Sequence, residues 1–307
     1  MSTSDNSATD KRDVYARVTA QIINAIEQGI TGNWRMPWHT NGRYAFSPIN
    51  ITSHKPYRGI NTVCLWAAAQ AKAYERGEWG TYAQWQERGA QVRKGERATT
   101  VVFWKFAHNA AEGQDGDDSP RGGSRLLFTR GYSVFNAAQV DGYTPAVDPE
   151  ATMPERIAHA DAFFTNIGAD LRHGGNQAFY APLTDHVQMP PFAAFRDGVA
   201  YYSTLAHEHT HWTANAARCD RQLGKRFGDN AYAAEELVAE LGAAFTCAHL
   251  GLSTEPREDH AQYIQSWLRV LKADSKAIFT AASKAQQATD WLVARAGETN
   301  RMVEVAA

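Results

Sequence analysis

The stretch 204-TLAHEHTHWT-213 decides how this chain is read. Three histidines and a glutamate fall within five residues: His207, Glu208, His209, Thr210 and His211. On a helix, residues four apart stand one above the other, so His207 and His211 share a face. Two imidazoles so placed can hold one ion, and the residue after the first histidine can act on a water held there. A divalent ion lowers the pKa of such a water to about 7, which supplies a nucleophile at neutral pH. Glu208 is then the base that takes its proton. The alternative is a solvated helix face that happens to be rich in histidine. Upstream, 199-VAYYSTLA-206 is apolar enough for a packed helix, where unsatisfied imidazoles would be costly. His209 occupies an x position of the pattern and is expected to face away from the ion.

A catalytic zinc site has three protein ligands and an open position, so a third ligand is expected nearby. The segment 231-AYAAEELVAELGAAF-245 offers Glu235, Glu236 and Glu240 among Leu237, Leu241, Ala244 and Phe245. Glu236 and Glu240 are four apart and share a face. Carboxylates on a core-facing stripe are expensive unless paired or bound to metal. The alternative is an ordinary solvated acidic face. This layout resembles the gluzincin class of zincin metallopeptidases. The resemblance implies Glu236 as third ligand and Glu240 as the acid that orients a ligating histidine. The best-known gluzincins have Asp where this chain has Glu240. Glu235 competes for the ligand role, but lying one residue earlier it is expected to point elsewhere. His260 and Tyr263, in 259-DHAQYIQSWL-268, are cleft candidates, because zincins often use such a residue to stabilise an oxyanion. The lone His186 and His249 are read as surface or satisfied core residues. The strand-like 176-NQAFYAPL-183 would suit an edge strand that takes extended peptide by β-addition.

Outside the motif, charge is unevenly spread. The 307 residues carry a net charge of −2, but residues 11–110 hold 14 Lys and Arg against 6 Asp and Glu. Residues 146–307 hold 14 against 20. The length suggests two domains, and the asymmetry suggests that the basic half meets a polyanion. That half also holds Trp34, Trp38, Trp66, Trp79, Trp85 and Trp104. Single-strand binders need cations along the phosphates and rings on which unpaired bases stack. The candidates for such contacts are Trp34, Arg35, Trp38, Arg43, Tyr44, Lys55, Tyr57, Arg58, Arg93, Lys94 and Arg97. Core packing is the competing use of the rings, and Trp66 and part of 101-VVFWKF-106 are assigned to it. No recognition helix or zinc finger of a duplex reader is evident. Cys64, Cys219 and Cys247 lack CxxC spacing, which fits a reducing compartment. No signal-peptide h-region or bilayer-length apolar run is visible, so a cytoplasmic protein without a membrane partner is expected.

The periodicities predict an α+β fold in two domains, the second mostly helical. A disordered tail is expected at 1–11 and a first domain at 12–141. In that domain helices are predicted at 12–30 and 62–77, and paired strands at 98–106 and 125–140 flank a flexible insertion at 108–124. A linker at 142–153 precedes the second domain at 154–307. There a helix is predicted near 155–168, strands within 176–190, and helices through the motif, at 231–250 and along 258–296.

The order of 33-NWRMPW-38, 55-KPYRGIN-61, 81-TYAQW-85, 89-GAQVRKGE-96, 207-HEHTHW-212, 225-KRFGD-229, 232-YAAEELVAELGAAF-245 and 260-HAQYIQSWLRVLKAD-274 is more specific than any one motif. Over residues 12–290 it resembles the ArdC-type antirestriction proteins of conjugative plasmids. Its first part also resembles the leading region of TraC-type primases. The resemblance implies a single-stranded-DNA-binding domain followed by a zincin-like metallopeptidase domain. It implies one divalent ion, Zn2+, on His207, His211 and Glu236, with Glu208 as base. It implies protection of incoming plasmid DNA, by a protein carried into or made in the recipient cell. Two readings remain open. One is a DNA-tethered peptidase acting on a protein at DNA or on a restriction component. The other is a non-catalytic single-strand shield whose metal is structural. A two-ion nuclease fits less well, since it would need clustered carboxylates.

Overall fold

The computed structural model describes residues 5–31, 48–74, 76–107, 125–144, 153–221, 230–252 and 260–297. Trp34, Arg35, Trp38, Arg43, Tyr44 and the insertion at 108–124 lie outside them. The elements in the first half are α1 (Asp5–Thr31), β1 (Ile49–Asn50), α2 (Ile60–Lys72), β2 (Glu78–Gly80), α3 (Tyr82–Glu87), β3 (Gln91–Val92), β4 (Thr99–Ala107), β5 (Arg125–Asn136) and β6 (Val140–Asp141). The second half holds α4 (Met153–Ile167), β7 (Asp170–His173), β8 (Phe179–Ala181), β9 (His186–Met189), α5 (Gly198–Trp212), α6 (Asn230–His249), α7 (His260–Ala273) and α8 (Ala277–Arg295).

Val14, Val18, Ile22 and Ile26 recur every four residues on α1 and are all buried, which is why this segment is a helix with one apolar stripe. The helix begins at Asp5, inside the stretch read as a tail, because no Gly or Pro stops it from propagating there. Helix α2 ends at Lys72 rather than at Gly77, with Ala73 left-handed at its cap. The TYAQW motif has a local meaning. Thr81 Oγ1 accepts from Gln84 N, and Gln84 Oε1 accepts from Thr81 N at 2.9 Å, a reciprocal cap for α3. The cap sets Trp85 into the core, where its Nε1 donates to Phe135 O.

The first-half sheet runs β1-β2-β5-β4, and β3 pairs with β6. Strands β4 and β5 form the expected antiparallel ladder, from Thr99↔Val134 to Ala107↔Arg125. In the second half β9 lies between β7 and β8, leaving β8 at an edge beside α5. The helical pattern after residue 258 divides into α7 and α8, where Asp274 Oδ1 accepts from Lys276 N and turns the chain. Among the described residues no helix is long and apolar enough to cross a membrane.

The two halves share a core. One hydrophobic cluster joins the stripe of α1 and Ile60, Val63 and Trp66 of α2 to Leu237, Leu241 and Phe245 of α6, Trp267 of α7 and Ile278 of α8. Tyr15 meets Phe279 edge-on at 4.6 Å between centroids, and Trp66 lies 5.8 Å from Phe245. Polar bonds cross as well: Thr19 Oγ1 donates to Ser275 O, Gly59 N donates to Gln286 Oε1, and Arg58 pairs with Asp290. A second cluster, from α4, the β7-β9-β8 sheet, α5, α6 and α8, belongs to the second half alone.

Candidate metal centre

Helices α5 and α6 carry the site. Asp197 caps α5, its Oδ1 accepting from Ala200 N at 2.8 Å. Along α5, Tyr201, Tyr202, Leu205 and Ala206 are buried, so the helix enters the core with its histidines attached. The two helices cross closely. A Cβ at Gly242 of α6 would lie 2.5 Å from Thr210 Cγ2 and 2.6 Å from Thr210 Oγ1 on α5. Thr210 is itself held by its Oγ1 donating to Ala206 O at 2.8 Å. Gly242→Ala is therefore expected to push the helices apart at a cost of about 1–3 kcal/mol. Thermal melting and metal titration of the variant should both fall; an unchanged melt with full metal affinity would mean the crossing relaxes freely.

This close crossing brings three side chains together. His207 Nε2 and His211 Nε2 lie 3.1 Å apart. Glu236 Oε2 is 3.6 Å from His207 Nε2, and Glu236 Oε1 is 3.5 Å from His211 Nε2. All three residues are buried, and each offers an atom within 4.8 Å of the others'. Zinc–nitrogen and zinc–oxygen bonds of about 2.0–2.2 Å in a tetrahedron would put neighbouring ligand atoms roughly 3.3–3.5 Å apart. The triangle the chain builds is close to that size. Buried and carrying two nitrogens and one carboxylate, it fits a single divalent ion.

The far nitrogens of both imidazoles face acids. His207 Nδ1 lies 3.5 Å from Glu240 Oε2 but closes no well-aligned hydrogen bond. His211 Nδ1 lies 3.4 Å from Glu235 Oε1. Glu235 is in turn gripped by buried Arg221, whose Nη2 and Nε donate to its two oxygens at 2.8 and 3.1 Å. Arg221 also donates to Thr213 Oγ1 and to the Thr210 carbonyl, which ties the end of α5 to α6. Glu235 thus points away from the triangle, as its place one residue before Glu236 predicts, and toward the second nitrogen of His211. Arg221 and this use of Glu235 are absent from the sequence reading. The available signal was a third glutamate on a buried stripe, which requires a cation of its own.

The charge balance matches. Burial alone would lower the pKa of His211, but Glu235 and Glu236 beside it push it up to about 10. Burial opposes ionisation of Glu236, yet His207 and His211 hold it well below the usual carboxylate range. Ionised carboxylates thus face the imidazoles, a setting that favours positive charge between them. His209 is pushed down to about 4 by burial; its Nδ1 donates to Leu205 O, and its ring meets Phe164 edge-on. Glu208 is buried on α5, 3% exposed. His260 and Tyr263 lie on α7, but their side chains fall outside the described residues. The hairpin of β8 and β9 is latched to the end of α5: Arg218 donates to both oxygens of Asp185, and Tyr180 Oη and Asn215 Nδ2 donate to Asp185 as well.

The candidate DNA contacts scatter. Lys55, Lys94 and Arg97 are exposed. Tyr57 is half-buried, and its hydroxyl accepts from Asn50 Nδ2. Arg58 is engaged by Asp290 of the second half, both side chains remaining partly exposed, and Arg93 by Glu96 at 2.9 Å and the Ala138 carbonyl. Arg93 and Lys94 line an open groove of about 730 Å3 with Tyr82, Gln91 and Phe135.

Comparison with known proteins joins both halves to one family. Residues 12–135 match the N-terminal domain of the anti-restriction factor ArdC, and residues 158–284 match a zincin-like metallopeptidase domain. An uncharacterized protein y4eC of Sinorhizobium fredii is 54% identical over 300 residues, 97% of each chain. A DNA primase TraC of Escherichia coli is 34% identical over 299 residues, which is 92% of this chain but only 27% of the primase. A crystal structure of the antirestriction ArdC protein from the R388 plasmid, metal-free, superposes with a TM-score of 0.73 at 42% identity, covering 93% of this chain and 98% of that one. Its Mn(II)-bound form gives 0.71 at the same identity, with 92% and 98% covered. Agreement of this extent, end to end and through both halves, means that the chain belongs to the ArdC family of antirestriction proteins.

Proposed function

We propose that this protein binds single-stranded DNA through its first half and hydrolyses peptide bonds at a one-ion centre between α5 and α6, and that it thereby shields incoming plasmid DNA from restriction. The observation that carries the reading is the buried triangle of His207, His211 and Glu236, with Glu208 next to the first ligand on the same helix. His207, His211 and Glu236 hold the ion; Glu240 and Glu235 orient the two imidazoles; Glu208 takes and returns the proton. Two imidazoles and one carboxylate suit zinc, and in the usual affinity order such a site binds zinc more tightly than manganese. An ArdC neighbour solved in a Mn(II)-bound form supports a divalent ion here. The protein target is one located at DNA, or a component of the restriction system.

The test is plasmid transfer into restriction-proficient and restriction-deficient recipients, with the protein supplied as wild type or as His211→Ala. Wild type is expected to raise transfer into the proficient recipient toward that of the deficient one, and His211→Ala to lose both metal and protection. Full protection by soluble, metal-free His211→Ala would remove the metal centre from the function.

A further inference from the structure

The DNA contacts assigned from sequence leave an aromatic surface unaccounted for. In the β4–β5 ladder, Val101 pairs with Tyr132 and Phe103 with Arg130, so these four side chains share one face of the hairpin. The opposite face is spent on packing: Val102 belongs to the shared core, and Trp104 Nε1 donates to Tyr15 Oη. On the first face, Val101 and Val134 are covered by Leu65 of α2 and Trp79 of β2. One step along the hairpin the cover ends. Phe103 is 43% exposed and Tyr132 38%. Their rings meet edge-on with centroids 6.1 Å apart, and the Arg130 guanidinium lies 5.3 Å from the Tyr132 ring centre. Neither strand contains an Asp or Glu, and between them they carry Lys105, Arg125 and Arg130.

We infer that Phe103 and Tyr132, with Arg130, form a platform on which unpaired bases of single-stranded DNA stack. The inference rests on the single-strand reading above and says where the bases go. Two large exposed rings in contact on a sheet form an apolar patch of the kind that marks an interaction site. Unpaired bases supply one, since every base has a π-face, whereas the bases of a duplex are already stacked on one another. A hairpin whose strands carry three cations and no acid in sequence selects a polyanion over an acid-bearing or neutral protein surface. Arg130 can hold a phosphate beside the tyrosine ring.

The experiment uses the full-length protein and a fluorescein-labelled oligothymidylate, read by anisotropy. Wild type must bind; if it does not, the single-strand reading itself fails. Given that binding, Phe103→Ala with Tyr132→Ala is expected to weaken it about 30-fold or more. Both side chains are exposed, so the thermal melt of the variant should match wild type. Phe103→Trp should retain affinity, because a different ring still stacks, and Phe103→Leu should not. Arg130→Ala should reduce the slope of log K against log salt by about one. Wild-type affinity in the doubly substituted protein would overturn the platform. So would a wild-type dimer that the double substitution dissociates while DNA affinity stays unchanged, since the face would then be a contact between copies.

Discussion

Expressed alone, residues 1–144 are expected not to fold. The sequence divides at 142–153, and the two domain models match separately at 12–135 and 158–284. The packing does not divide there. Helix α1 and the inner side of α2 lie in one cluster with α6, α7 and α8. Cutting the chain removes the rings that Tyr15, Trp66 and Trp104 rest against, Phe279, Phe245 and Phe279 respectively. Full burial of one large apolar side chain is worth about 1.5–3 kcal/mol. Losing the burial of these three side chains costs about 4.5–9 kcal/mol, comparable to the whole net stability of a domain. The fragment should aggregate or give a melt without a cooperative step, and co-expression with residues 145–307 should recover a soluble pair. A sharp, reversible melt of 1–144 by itself would show that the shared cluster is dispensable. The aligned part of TraC, spanning 92% of this chain, contains both halves together, as one packed unit would. Single-strand binding is therefore to be measured on the intact chain.

How legible this was in the sequence depends on the distance over which each feature acts. The His-Glu-x-x-His helix and the acidic helix after it are periodic and local, and their spacing predicts that His207 shares a face with His211 and Glu236 with Glu240; that Glu236 is the acid meeting the histidines is what the gluzincin resemblance implies. The ladder of β4 and β5 is local too, since composition isolates the insertion between them. The shared core is different. The stripe Val14, Val18, Ile22, Ile26 says that α1 buries one face, but nothing within the segment names α7 and α8 as part of what covers it. The same limit explains the arginines. Cations on Gly- and Pro-containing turns look exposed, yet Arg58 meets Asp290, 232 residues later, and Arg221 enters the core to hold Glu235. Phe103 and Tyr132 were hidden for the opposite reason. Phe103 lies in 101-VVFWKF-106, part of which is assigned to the core, Tyr132 reads only as part of a strand, and only the register of β4 on β5 with the cover of Leu65 and Trp79 shows where packing stops.

Glu208→Gln is expected to leave metal content and single-strand affinity unchanged while peptide cleavage falls by about 10²–10⁴-fold, the usual contribution of a general base. The substitution keeps the side chain's size inside α5, where Glu208 is buried, but removes its ability to accept and return a proton. The ligand set is untouched, because His207, His211 and Glu236 make the triangle without it. The measurement is metal analysis, oligonucleotide anisotropy and cleavage of a co-purified or added polypeptide, in parallel on wild type and variant. Retained cleavage would move the base elsewhere. Transfer into a restriction-proficient recipient then separates the two roles of the chain. If protection disappears with the proton acceptor, DNA serves to deliver a peptidase to its target. If protection survives while cleavage is lost, coverage of the strand by the first half carries the antirestriction effect. The metal then matters for what α6 connects, because the helix that supplies Glu236 and Glu240 also supplies Leu237, Leu241 and Phe245 to the core shared with the first half.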